Sequence, residues 1–176
     1  VTLLDVYGTG TALLNLIEVC AAAEGVTLPA RRYVSAGHPA EVVWDCDQVV
    51  IALAVLGEGI SAAMQGGGTA KAPGSMVSPG GVPHLPAAQL VAQIVRCAPA
   101  LTSRGEPPTV AALEASGEEA LTDAALLHLV RARWAASAPG APTDVLLGQV
   151  LPAGPSGGFS AMSLTVAVTV TQVMAP

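Results

Sequence analysis

The chain has 176 residues, of which 52% are hydrophobic and 11% charged, with a formal charge of −6 and a pI near 4.8. That length suits one domain, large enough to bury a core without metal or disulfide support. The seven Lys and Arg are scattered, which argues against a surface built to grip nucleic-acid phosphates, and the longest apolar run, Val49 to Leu56, is far short of a spanning helix.

Mean hydropathy is high at +0.58, yet no basic segment followed by an apolar one opens the chain. No membrane or secretory segment is therefore expected, and Val1 is compatible with a removed initiator methionine. Low charge density implies a surface made of Ser, Thr, Gln and Gly, or one covered by other subunits.

Thr2 can cap a helix running from Leu3 to Ala23, with Leu13, Leu16, Ile17 and Cys20 on one face and Gly25 as terminator. Gly8 and Gly10 each weaken it by about 1 kcal/mol relative to alanine, which predicts a frayed or kinked start. Arg31 to Ala36 reads as a short strand closed by Gly37-His38-Pro39. Asp47 to Glu58 reads as a second, with Val49, Ile51, Leu53 and Val55 on one face and Gln48, Val50, Ala52, Ala54 and Leu56 on the other. Apolar residues on both faces predict a central place in the sheet.

Gly57 to His84 is dense in Gly, Pro, Ser and Ala and lacks any sustained period, so it reads as a long flexible arm. Leu85 to Ala98 returns to strand, making a hairpin with the preceding strand across the arm. Gln89, Val91, Gln93, Val95 and Cys97 share one of its faces, and Leu90, Ala92, Ile94 and Arg96 the other. Pro107-Pro108-Thr109 opens a long helix, Ser116-x-x-Glu119 offers a capping box for a restart, and Leu121, Ala124, Leu127 and Val130 form the expected buried stripe. Ala138-Pro139-Gly140 ends it, Asp144 to Leu151 is a fourth strand, and Pro152 to Gly158 a turn-rich link. The last strand, within Gly157 to Val173, alternates: Met162, Leu164, Val166, Val168 and Val170 against Ser163, Thr165, Ala167, Thr169 and Thr171. The fold expected is α+β, an antiparallel sheet of about five strands with two main helices packed on it, in the order α-β-β-(long arm)-β-α-β-β.

Chemistry-bearing patterns are sparse. The sequence holds no G-x-S-x-G, H-E-x-x-H or complete Walker motif; Gly66-Gly67-Gly68-Thr69-Ala70-Lys71 lacks the Gly-Lys-Ser/Thr ending and reads as arm. His38, His84 and His128 are spaced as turn or surface residues. Cys20, Cys46 and Cys97 are odd in number and without C-x-x-C spacing, which points to reduced, buried thiols in a cytosolic setting and makes a ligand role the lesser reading. Asp45-Cys46-Asp47 could serve a metal or redox site, but Asp residues at a strand entry fit turn capping better. Glu114, Glu118 and Glu119 suit the start of a helix, and Trp44 and Trp134 suit core or interface. No catalytic, cofactor or metal set emerges, and the expectation is a non-enzyme.

Several stretches together resemble small virion proteins of tailed phages of actinobacteria, the tail terminator or head–tail connector group. They are Gly25-Val26-Thr27-Leu28-Pro29 with Arg31-Arg32-Tyr33-Val34, Asp45-Cys46-Asp47-Gln48-Val49-Val50, and Val95-Arg96-Cys97-Ala98-Pro99. Pro107-Pro108-Thr109-Val110-Ala111-Ala112-Leu113 and Gly157-Gly158-Phe159 before the alternating strand complete the set. The resemblance covers nearly the whole chain through structural punctuation, and the arm is longer than the group leads one to expect.

The resemblance implies a single tail-terminator-like domain over 1–176 that forms a homo-oligomeric ring, typically a hexamer, ending tail-tube polymerisation at the head-proximal end of a long tail. Its partners would be itself, the tail tube protein and the head–tail connector or stopper protein, with DNA passing the lumen without sequence-specific binding, and no membrane. It would be assembled in the host cytoplasm and reside in the virion neck. Candidate subunit or tube contacts are Gly66, Gly67, Lys71, Ser75 and Met76 in the arm and Thr165, Thr169 and Thr171 in the last strand. A connector or stopper ring is the neighbouring alternative. A small enzyme or ligand-binding domain with the Gly-rich arm as lid, using Asp45, Asp47 or His38, is the alternative of another class.

Overall fold

A computed structural model describes residues 3–35, 46–58, 86–101, 103–136, 145–156 and 158–169. The described elements are α1 (Leu3–Glu24), β1 (Arg31–Ser35), β2 (Gln48–Glu58), β3 (Pro86–Cys97), α2 (Val110–Ala136), β4 (Val145–Ser156) and β5 (Phe159–Thr169). The fold is α+β, five strands in the order β1-β2-β3-β5-β4 with two helices, as the alternating and helical periods predict. β2–β3, β3–β5 and β4–β5 are antiparallel; β1 joins β2 in parallel, so the sheet is mixed. The stretch between Ser35 and Gln48 is long enough for the crossover a parallel pair needs, and periodicity alone carries no information about strand direction.

The register stacks the apolar residues in rows. Val49, Ile94 and Met162 lie side by side, then Ile51, Ala92 and Leu164, then Leu53, Leu90 and Val166. Both helices pack on this face: Val6, Leu13, Ile17, Cys20 and Ala21 of α1 and Leu126, Leu127 and Val130 of α2 share one buried cluster with it. β2 has a neighbour on each side, and Gln48, Val50 and Ala52 on its other face are also fully buried, in line with its expected central place. Its simple alternation breaks at a register shift between Leu53 and Val55.

α1 ends as its sequence dictates. Gly25 adopts φ 68°, and its N–H and that of Val26 donate to the carbonyls of Ala22 and Ala21, a Schellman closure. The helix runs through Gly8 and Gly10 without interruption. At Gly10 an added Cβ would stand 3.0 Å from Val34 Cγ1, so this glycine lets α1 settle closely onto β1 and β2. By length and composition Val6–Glu24 could cross a membrane, a property absent from the reading of uninterrupted apolar runs; here it is a helix lying on the sheet through Leu13, Ile17 and Cys20.

α2 begins where expected, with the Ala112 N–H donating to Thr109 Oγ1 at 3.2 Å, and it continues through Gly117 with no restart. Its buried stripe is Asp123, Leu126, Leu127 and Val130; Leu121, expected inside, is 72% exposed. Asp123 fixes the helical phase. Its carboxylate accepts from Arg96 Nε at 2.9 Å and from an Arg96 terminal nitrogen at 2.8 Å, and that nitrogen also donates to the Thr27 carbonyl at 3.0 Å. These bonds hold the Arg96 guanidinium more firmly charged than usual, against the opposing effect of its desolvation. They tie β3, α2 and the turn after α1 into one unit.

β4 extends to Ser156, through the stretch expected to be a turn-rich link. It lies at the edge of the sheet, where proline is tolerated within a strand, and its register shifts between Leu147 and Val150 and between Ala153 and Ser156. Gly158, at φ 88°, turns the chain into β5 and accepts from the Ala98 N–H at 2.8 Å. β5 pairs along its length on both sides. Its Val170 to Val173 continuation, the Thr2 cap, Ala36 to Pro39, Ala138 to Gly140, Asp144 and the arm beyond Glu58 lie outside the described residues.

Candidate functional site

Two local arrangements stand out from the fold. The first is on α2. Opposite its buried stripe, the first half of the helix carries Val110, Leu113, Gly117 and Leu121 at spacings of three and four, so they form one line along the helix. Val110 is 70% exposed, Leu113 52% and Leu121 72%. Beside this line a shallow groove of about 310 Å³ is bounded by Leu113, Gly117 and Ala120 of the helix and by Pro99, Pro152 and Met162 of the strand ends. None of the residues lining it is titratable, so its chemistry is that of apolar contact. Leu101 and Leu151 are exposed large apolar residues as well.

The second arrangement is at the end of the sheet where β2 begins and β3 ends. Gln48 pairs with Val95, and continuing that register by two residues sets Cys46 opposite Cys97. Their sulfurs are joined in a disulfide with Cα atoms 4.7 Å apart. This corrects the expectation of reduced thiols for these two. The test of C-x-x-C spacing is blind to a bridge formed across strands, whereas the predicted hairpin would have revealed the pair had its register been followed outwards. Cys20 is a free, buried thiol, as expected, with an Arg133 nitrogen 3.6 Å away. Asp47 takes φ 59°, and its carboxylate lies 3.6 Å from Cys97 Sγ. Among the described residues, Cys46, Asp47 and Cys97 form a group whose ligating atoms all lie within 4.8 Å of one another.

Next to this end, Gln48 is fully buried; its Oε1 accepts from the Tyr33 hydroxyl at 3.0 Å, while its Nε2 finds no acceptor among the described residues. Gln93 Nε2 donates to Ser163 Oγ at 3.0 Å across β3 and β5 on the same face. That face thus mixes the amides of Gln48 and Gln93 and the hydroxyls of Ser163 and half-buried Thr165 with the buried Val50, Ala52 and Val95.

The candidate contacts are only partly in view. Thr165 and Thr169 lie in β5; Thr171, Gly66, Gly67, Lys71, Ser75 and Met76 lie outside the described residues. The same is true of Asp45, His38, His84 and Trp44. His128 and the acidic residues Glu114, Glu118 and Glu119 are exposed on α2, and Trp134 packs against the core cluster. The exposed α2 line was not singled out from sequence, where Leu121 was assigned to the buried stripe; the burial of Asp123, Leu126, Leu127 and Val130 shows which side of the helix faces in.

No protein-family model matches the chain, and no curated protein and no solved structure matches it.

Proposed function

We propose that the chain is a ring-forming structural protein of a phage neck, a tail terminator that ends tube growth and joins the tail to the head connector around the DNA channel. The observation that carries this reading is the exposed apolar line Val110–Leu113–Leu121 beside an apolar groove. A helix whose second face is apolar gains by meeting another surface, at about 25 cal/mol per Å² of apolar area covered. In a chain with only 11% charged residues, few like charges oppose close packing of copies. The resemblance of the punctuating motifs supplies the identity of the assembly. The expected partners are further copies of the chain, the tail tube protein and the connector or stopper protein.

Mass measurement and negative-stain imaging of the purified protein, alone and mixed with tail tubes, test the proposal. Rings alone, or caps on tube ends, are the expected result. Leu121→Glu should leave a folded protein that no longer forms them. A strictly monomeric protein that never associates with tube ends refutes the proposal.

A further inference from the structure

Cys46 and Asp47 are consecutive, and in an extended strand their side chains would point to opposite faces of the sheet. They do not. The left-handed backbone at Asp47, φ 59°, breaks the alternation and brings its carboxylate to within 3.6 Å of Cys97 Sγ, on the side where Cys46 already lies. Such a conformation is uncommon outside glycine, although Asp tolerates it better than most residues. In the bonded state Cys97 sulfur has no proton to donate, so this approach is a contact and not a hydrogen bond.

The Asp47–Cys97 separation matches that of two ligands sharing a tetrahedral zinc ion. With Zn–S near 2.3 Å and Zn–O near 2.0 Å, a sulfur and an oxygen sharing a tetrahedral ion stand about 3.5 Å apart, and two sulfurs about 3.8 Å apart. Cys46 and Cys97, on facing strands with Cα atoms 4.7 Å apart, can reach that sulfur separation by rotating χ1 once the bond between them is open. Cys97 is exposed and Cys46 half-buried, so a reductant and an ion both have access. The guanidinium of Arg96, the residue before Cys97, is already engaged by its two bonds to Asp123.

We propose that Cys46, Cys97 and Asp47 are a redox-gated site for one zinc-class divalent ion. A dithiol or phosphine donates two electrons, the S–S bond breaks, and each sulfur takes up a proton. Binding of the ion then expels both protons, leaving two thiolates and one carboxylate as ligands, with water completing the tetrahedron. A two-electron oxidant, a low-molecular-weight disulfide that is itself reduced to two thiols, takes the electrons of the two thiolates, reforms the bond and releases the ion, because bridged sulfurs are no longer thiolates. The site is independent of ring assembly and does not rest on it.

The test uses the full chain, oxidised and after phosphine reduction without oxygen, titrated with Zn²⁺ against a chromophoric chelator and with Co²⁺ by absorption. Circular dichroism is recorded in parallel. The reduced protein should bind one ion per chain and show thiolate-to-cobalt charge transfer; the oxidised protein should do neither. Asp47→Asn should weaken zinc binding by at least about tenfold, and the Cys46→Ser, Cys97→Ser double variant should abolish it. Zinc binding by the reduced protein no tighter than by the double variant overturns the proposal. So does binding that Asp47→Asn leaves unchanged, which would mark loose chelation by two thiols, and so does a native circular dichroism signal lost on reduction and not restored by zinc.

Discussion

Replacing Asp123 with alanine should be among the most damaging single changes available on α2. The Asp123 side chain is 1% exposed and the Arg96 side chain 16%. The substitution deletes both bonds from the guanidinium, at 2.9 and 2.8 Å, and leaves it with the Thr27 carbonyl at 3.0 Å. Breaking a buried ion pair from one side costs about 3–5 kcal/mol, mostly because the surviving charge is stranded. The small exposure of Arg96 lets part of the guanidinium rehydrate, which places the expected loss near the low end, about 3 kcal/mol. In urea, with a slope of about 2 kcal/mol per molar, the midpoint should fall by about 1.5 M. The companion variant Arg96→Met, Asp123→Leu removes both charges and keeps apolar bulk; it should unfold within about 1 kcal/mol of the parent, or later. A loss below about 1 kcal/mol in the single variant would refute the argument. So would a double variant as unstable as the single one, since the penalty would then not come from a stranded charge.

Leu127→Ala should cost about 3 kcal/mol by thermal or urea unfolding, because its side chain is fully buried, whereas Leu121→Ala, at 72% exposure, should stay within about 0.5 kcal/mol of the parent. Gly8→Ala meets open space and should stabilise α1 by about 1 kcal/mol, while Gly10→Ala drives a methyl to 3.0 Å from Val34 and should fall short of that gain, as paired melting temperatures will show. Burial raises the Tyr33 phenol above its ordinary value of 10.0, with nearby Arg31 opposing the rise. The neutral phenol is the form the fold favours, so its contribution is complete below pH 10.0 and is lost as pH climbs from there through the folded value. Tyr33→Phe should therefore flatten the alkaline decline in stability measured by urea titration.

Much of the fold was legible because its signals are local. Thr109 and Gly25 mark helix ends by side-chain and backbone chemistry confined to one turn. The alternation in β3 placed Arg96 on the face of Leu90 and Ile94, where it meets α2. What escaped the sequence depends on the partner. The parallel joining of β1 is set by a crossover that periodicity cannot see. The extension of β4 through Pro152 and Pro155 is possible only because β4 is an edge, and edge position is a property of the whole sheet. Leu121 was expected inside because a helix rich in Ala and Leu offers more than one apolar line, and one buried carboxylate, Asp123, decides between them. The Cys46–Cys97 bridge follows from strand register, which fixes both residues although neither sits in a cysteine motif. The arm and most of the candidate contacts lie outside the described residues, so the fold adds nothing to that part of the reading.

The position of β5 has a consequence for how the chain is made. Although last of the described strands in sequence, it lies between β3 and β4 and is paired to both. Gln93 and its partner Ser163 are 70 positions apart, a long loop to close before the ladder contributes anything. On the ribosome, β3 and β4 emerge with no edge in common, and the apolar rows of β3 stay half-covered until Phe159 onward is released. The β1-β2-β3 part can pair early, but β4 joins the sheet only once β5 is available. During that interval the open edge of β3 is the place where two nascent chains could exchange their last strands. Synthesis that stalls between Ser156 and Phe159 would yield a chain with both helices and a three-stranded β1-β2-β3 sheet, with β4 left without its partner.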